Sequence, residues 1–316
     1  MNTKIKGSIY GIIAAISYGT NPLGALSLYK NGINANSVLF YRFSLAAIII
    51  GIVLAVQKKS FSITKKELLI LGCLGVLFGI SSLSLFTSFH YMDAGIASTI
   101  LFVYPVMVAV IMAIFFKEKI SSITILSILL ALGGIALLYQ SDGQTSLSTI
   151  GVTLVMISSL TYAIYIIVVN KSSLMMSSIK LTFYVLLFCM LTIITHSLTN
   201  ENNHIQMLTT PSMWMWAIMM AVVPTIISLI MMVKAVNIIG STPTAIMGSL
   251  EPLTAVMIGV IVFGEIFTVQ LATGLLMILF AVLLIIAGKS IKPQKLFISL
   301  NNNAKHAIKK YFRWKY

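Results

Sequence analysis

Glu251 sits beside Pro252 near the middle of an apolar run, residues 242–263, that carries no other charge. An ionised carboxylate at that depth costs about 2.5–3.5 kcal/mol on insertion scales, so it must face a protein interior, find a partner or hold a proton. Two chemistries follow: partnering a substrate ammonium, or carrying a coupling proton. A structural carboxylate bonded to a neighbouring helix beside the proline kink is the plainer alternative. Arg42 lies about two helical turns into a second apolar run, 36–57. Its fork of donors suits a substrate carboxylate or a gate at the outer mouth, and its depth equally permits snorkelling to headgroups.

Around these two charges stand groups of intermediate polarity at similar depth. Tyr18, Asn21, Tyr104, Tyr162 and Tyr165 place aromatic and amide groups in the middle of their runs, and Ser81, Ser84, Ser228 and Ser249 add hydroxyls. Together they could line a wet cavity for a small amphiphilic solute. The serines serve helix packing equally well, because small residues let helices approach. Pro105 and Pro252 each remove one helix hydrogen bond, which can leave carbonyls open to a cavity and offers a hinge for gating.

The elements that hold these residues must be membrane helices. Of the 316 residues 59% are hydrophobic and 9% charged, a balance that no soluble domain of this size carries. Apolar runs of about 20 residues, enough to cross the hydrocarbon core as helices, recur along the chain, and barrel-type alternation is missing. Ten spans are expected at 7–29, 36–57, 68–91, 95–116, 120–139, 148–170, 178–198, 213–235, 242–263 and 267–287. The first is too long for a signal peptide and is read as a retained helix.

The second half repeats the first with a shift of 147: Pro105 maps onto Pro252, Glu118 onto Glu265 and Tyr18 onto Tyr165. Repeat one is drawn as residues 1–140, repeat two as 141–288, and a basic cytoplasmic tail as 289–316. Five spans per repeat is an odd number, so the second repeat enters the membrane from the opposite side. Two inverted halves around a central site are the architecture of alternating-access transporters.

The net charge of +14 marks orientation rather than nucleic acid. With the N-terminus inside, Lys4, Lys6, Lys58, Lys59, Lys65, Lys66, Lys117, Lys119, Lys171, Lys180 and the basic tail are cytoplasmic. Lys30, Asp93, Asp142, Glu201 and Glu265 are then external, the positive-inside pattern of an N-in, C-in protein. In the tail, Leu300, Ala304, Ile308, Tyr311 and Phe312 follow helical spacing among basic residues, which suits either an amphipathic surface helix or a disordered segment.

Enzyme chemistry finds little to work with. There is no phosphate-cradling Gly-x-x-x-x-Gly-Lys loop, no metal-ligand cluster among four histidines and two cysteines, and no catalytic carboxylate pair. Cys73 and Cys189 both fall inside spans, which argues against a disulfide framework. We therefore expect no cofactor, no metal, no nucleic-acid partner and no enzymatic activity.

These motifs together resemble the drug/metabolite transporter superfamily, in its ten-helix branch built from two EamA domains. The resemblance spans roughly 7–287 and is sharpest at Leu250-Glu251-Pro252-Leu253-Thr254-Ala255 with Phe263-Gly264-Glu265, echoed by Tyr104-Pro105 and Phe116-Lys117-Glu118. Tyr18-Gly19-Thr20-Asn21-Pro22 is similar to the family's first-helix stretch, with Tyr where Trp is common and Thr where Ser is common, and Tyr41-Arg42-Phe43 to its arginine-bearing second helix. The resemblance implies an all-α polytopic permease in which helices one to four and six to nine enclose the cavity while five and ten stay peripheral. The solute is expected to be a small organic metabolite, an amino acid or related amine first, and export from the cytoplasm of a bacterium across its inner membrane is the preferred direction. Protons are a candidate coupling ion. An uptake permease for a metabolite or vitamin, a multidrug cation/proton antiporter and a lipid-linked-sugar flippase remain alternatives. The antiporter would want a carboxylate in spans one and six, and neither has one. Oligomeric state is left open by the sequence.

Overall fold

A computed structural model describes residues 3–117, 122–139, 148–172, 174, 176–199, 203–240, 244 and 247–290. Among these every regular element is helical. The expectations placed on Glu118, Asp142, Glu201 and the tail beyond residue 290 lie outside the described residues.

The helices are α1 (Thr3–Gly19), α2 (Asn21–Tyr29), α3 (Ala35–Val56), α4 (Lys65–Ser88), α5 (Ala94–Leu101), α6 (Tyr104–Phe116) and α7 (Ser122–Tyr139). The second half supplies α8 (Thr149–Lys171), α9 (Ser178–Ser197), α10 (Pro211–Ala221), α11 (Ser228–Ile239), α12 (Leu250–Phe263) and α13 (Val269–Ser290). Their starts carry the expected chemistry. Asn34 caps α3 by accepting from the Ser37 N–H, Thr64 and Glu67 form a reciprocal capping box on α4, and Thr210 caps α10. Where they fall on described residues, span ends match the expected ones to within about four residues; span three stops at Ser88 and residues 89–93 turn back toward α5.

Prolines mark interruptions in four of the spans. Pro22 and Pro105 stand in the first turns of α2 and α6, after breaks at Thr20 and at Phe102–Val103, where their missing N–H would have no helical partner in any case. In span eight, Pro224 lies within a π-helical turn, Val222–Ile227, that joins α10 to α11. Pro252 sits in the first turn of α12, just after a turn at Gly248–Ser249. Under the shift of 147 that turn falls within one residue of the break at Phe102–Val103.

The packing reproduces the repeat. Helix α1 lies along α11 (spans one and eight), and α4 lies along α8 (spans three and six), which is the same contact made twice. Spans two and seven (α3 and α9), four and nine (α5 and α12), and five and ten (α7 and α13) each pack against their own counterparts. This is the pattern of two halves related by a two-fold axis. Reciprocal serine bonds lock one of these contacts: the Ser81 hydroxyl donates to the Ser158 carbonyl at 3.0 Å, and Ser158 returns one to Ser81 at 2.7 Å. Its symmetry mate Ser228 donates to the Ala14 carbonyl at 2.9 Å.

Large apolar side chains such as Ile48, Ile52, Leu129, Met257 and Ile261 point outward, as a lipid-facing surface requires. Helices α7 and α13 form the peripheral pair. They approach so closely that a Cβ on Gly134 would lie 3.0 Å from the Gly274 carbonyl oxygen, the small-residue contact typical of membrane helices.

Candidate functional site

The groups singled out at mid-depth converge. Tyr18, Asn21, Arg42, Ser81, Tyr104, Tyr162 and Glu251 line a single cavity among spans one, two, three, four, six and nine. They come together because polar groups on largely apolar helices have only the bundle interior to face. Phe78, Ser82, Leu85, Phe86 and Leu101 complete the wall. Sequence reasoning passed these over, since a phenylalanine or leucine reads the same whether it faces lipid or a cavity.

One side is aromatic. The Tyr104 and Tyr162 rings meet edge to face with centroids 4.7 Å apart, and Tyr165 stacks behind Tyr162 at 5.8 Å, while Phe78 touches both Tyr162 and Tyr165. Tyr165 therefore supports the wall and does not itself line the cavity. Such rings offer π-faces to apolar groups and to cations.

The same cavity holds a cation. Arg42 is 2% exposed, which removes the snorkelling alternative. Its guanidinium lies 5.4 and 5.5 Å from the rings of Phe43 and Phe86, and its Nε donates to the Thr225 hydroxyl at 2.9 Å. The Tyr18 side chain lines the same cavity. No carboxylate among the described residues lies within ion-pair distance of it. Glu251 faces the same cavity, and its carboxylate has no hydrogen-bond partner among the described residues. The buried amide oxygen of Asn21 is likewise without one.

The remaining candidates fall beside the cavity. Ser249 precedes α12 at the turn that opens it, and Pro105 and Pro252 flank the cavity residues Tyr104 and Glu251. Ser81 is in the wall, but its hydroxyl is committed to Ser158. Ser228 is spent on α1 in the same way. Thr225 was missed. The only signal for it was the neighbouring Pro224, whose disturbance of the helix was legible without showing which side chain it would reorient. Among the described residues no group of three His, Cys, Asp or Glu could hold a metal ion.

The cavity is framed by two tied ends. At one end, Asn34 and Asn36 donate to the carbonyls of His204 and Asn203, and the Tyr41 hydroxyl reaches the carbonyl of Gln206. His90 stacks on Tyr29 at the same end, with ring centroids 4.4 Å apart, and burial pushes its imidazole below the ordinary range. At the other end, Lys180 donates to the Ser62 carbonyl.

Comparisons with known proteins agree with this picture. The sequence pattern of the EamA-like transporter family matches residues 5–140 and again residues 149–287. A protein of Archaeoglobus fulgidus described as an uncharacterized transporter is 26% identical over 192 residues, which cover 61% of this chain and 67% of that one. A chain solved by crystallography superposes with a TM-score of 0.63 over 88% of this chain and 95% of its own, at 13% identity, a likeness of fold.

Proposed function

The chain belongs to the EamA-like transporter family, and from that premise we propose that it moves a small organic metabolite, an amino acid or related amine, by alternating access around the cavity between its repeats. The observation that carries the solute class is the pairing of Arg42 and Glu251 on one cavity with an aromatic wall. A carboxylate-binding fork, an ammonium-binding carboxylate and stacked rings are the three groups that an amino acid or amine of modest size would engage. The halves would exchange openings about the axis on which α5 meets α12, with the broken spans four and nine as the flexible elements. Lys58, Lys59, Lys65, Lys66, Lys117, Lys171 and Lys180 cluster at one end and Asp93 and Glu265 at the other, which supports an N-in, C-in orientation in a bacterial inner membrane. Export is the direction we assign, with protons carried through Glu251 or the solute's own gradient as the drive.

The experiment is counterflow. Purified protein in liposomes is loaded in turn with each of the twenty amino acids and with panels of primary amines, vitamins, nucleosides and lipid-linked sugars, and uptake of the labelled compound is followed. Exchange of at least one amino acid or amine, abolished by Arg42→Ala or Glu251→Ala in folded protein, is the expected result. Exchange confined to vitamins, nucleosides or lipid-linked sugars would overturn the solute class and leave the transporter fold in place.

A further inference from the structure

We propose that the solute must carry a carboxylate, held by Arg42, and that Thr225 is the positioning residue that aims Arg42 at it; this rests on the transport reading above and narrows it from amino acids and amines to acids.

The argument begins with the break in span eight. In a continuous α-helix the Met220 carbonyl would accept the N–H of residue 224, but residue 224 is proline and has none. The Thr225 hydroxyl donates to that carbonyl instead, at 2.9 Å, within the π-helical turn. A hydroxyl has one proton to give. With that proton committed to Met220, the oxygen can only accept from Arg42, and it receives the Nε–H at 2.9 Å. Arg42 therefore donates to Thr225 and Thr225 to the Met220 carbonyl that Pro224 leaves open, a hydrogen-bond chain with a single direction.

That chain fixes the plane of the guanidinium. The guanidinium lies against the rings of Phe43 and Phe86 at 5.4 and 5.5 Å, and Thr225 takes Nε. The remaining N–H groups belong to a side chain that lines the cavity and meets no carboxylate among the described residues. A buried cation without a counter-ion is strongly unfavourable, and a planar fork is matched best by a bidentate carboxylate. The cavity supplies the cation, so the solute supplies the anion.

The repeat adds a polarity. The position 147 residues after Arg42 is Cys189, whose thiol is spent on the Gly75 carbonyl, and the position 147 residues before Glu251 is Tyr104. Each charge occurs in one half alone. A symmetric scaffold thus presents an asymmetric site, with a fixed end for the carboxylate.

The test compares amino acids with their decarboxylated amines on purified full-length protein, reading affinity from thermal stabilisation and from counterflow, for wild type, Thr225→Val and Thr225→Ser. The panel includes 2-oxo acids as simple carboxylates. Each variant is used only where its ligand-free melting curve remains cooperative. We expect each bound amino acid to outbind its amine by at least tenfold. Thr225→Val should weaken the acid by tenfold or more while leaving the amine unchanged, and Thr225→Ser, which keeps the oxygen, should restore the acid to within a few-fold. Should Thr225→Val fail to fold, Arg42→Lys takes its place, since a point charge keeps the cation and loses the fork; it should erase the acid preference. Amines that bind as tightly as their acids, or a Thr225→Val protein with wild-type selectivity, overturn this inference and leave the transport reading standing. Stabilisation by 2-oxo acids alone would keep the Arg42 site and overturn the amino-acid reading. Silence across the whole panel overturns both.

Discussion

The carboxylate of Glu265, just past the end of α12, accepts the backbone N–H of Ala94 at the start of α5, 171 residues earlier in the chain, at 2.8 Å. Its second oxygen takes the Gly95 N–H at 3.1 Å. A side chain of the second repeat thereby caps a helix of the first, satisfying two donors that a helix start leaves open and placing negative charge at the positive end of the helix dipole. The fit is tight, for a Cβ on Gly259 would fall 1.9 Å from a Glu265 oxygen. The half of span four nearest this clamp, α5, is buried throughout and packs on α12, whereas α6 buries only Val106 and Ala109 and turns toward α7, α8 and α13. The clamp therefore joins the two repeats at the end where spans four and nine meet.

A pH dependence follows from this clamp. Burial, reinforced by the neighbouring negative charge of Asp93, holds the Glu265 carboxyl above its ordinary range, and the two N–H bonds oppose the shift without cancelling it. A raised folded-state pKa means that the folded protein binds the proton more tightly than the unfolded chain. The associated stability is complete below the ordinary glutamate value of about 4.3 and is lost as pH rises through the raised value. Asp93, also raised by burial, acts in the same sense. The melting temperature of the wild type should therefore decline from mildly acidic toward neutral pH. Glu265→Gln keeps an acceptor for Ala94 but cannot ionise, and it should show a shallower decline over the same window. Parallel slopes for the two proteins would show that the clamp does not set the dependence.

Glu251→Gln separates coupling from recognition. A neutral amide of the same shape keeps the cavity but cannot release a proton. The amide oxygen can still accept from a solute ammonium, so we expect counterflow exchange to continue at a reduced rate, while accumulation driven by an imposed proton gradient falls by at least tenfold. Both activities are measured in the same liposomes, and unchanged gradient-driven accumulation would remove Glu251 from the coupling path.

Gly134→Val should loosen the peripheral pair α7 and α13. The added Cβ would lie 2.8 Å from Ile278 Cγ1 and 3.0 Å from the Gly274 oxygen, a backbone atom that cannot step aside. Overpacking of this kind costs about 1–3 kcal/mol. Because the pair stands apart from the cavity walls, the lower melting temperature should come with near-normal ligand affinity.

Asn34→Ala should free the tied end of the bundle. It removes the cap on α3, worth about 0.5–2 kcal/mol, together with the bond from the Asn34 side chain to the His204 carbonyl. Limited proteolysis should then cut within 203–210 at least several-fold faster than in the wild type.

The sequence by itself determined the spans, the repeat and much of the cavity's membership. Twenty-residue apolar runs in a bilayer have essentially one backbone solution, and a shift of 147 is visible without coordinates. Tyr18, Asn21, Tyr104, Tyr162 and Glu251 were legible because a polar group at mid-depth is costly everywhere except inside. What the chain could not disclose was direction around each helix and partnership across the bundle. Depth left Arg42 free to snorkel or to turn inward, and only the packing of Phe43, Phe86 and Thr225 around it decided the matter. Ser81 had the right depth for a ligand group, yet the close approach of α4 and α8 committed it to Ser158. The caps on Ala94 and Gly95 come from a glutamate 170 or more residues away. Hydropathy records how deep a residue lies, whereas the chemistry of a cavity depends on which residues of distant helices face one another, and that is settled only when the two repeats fold together.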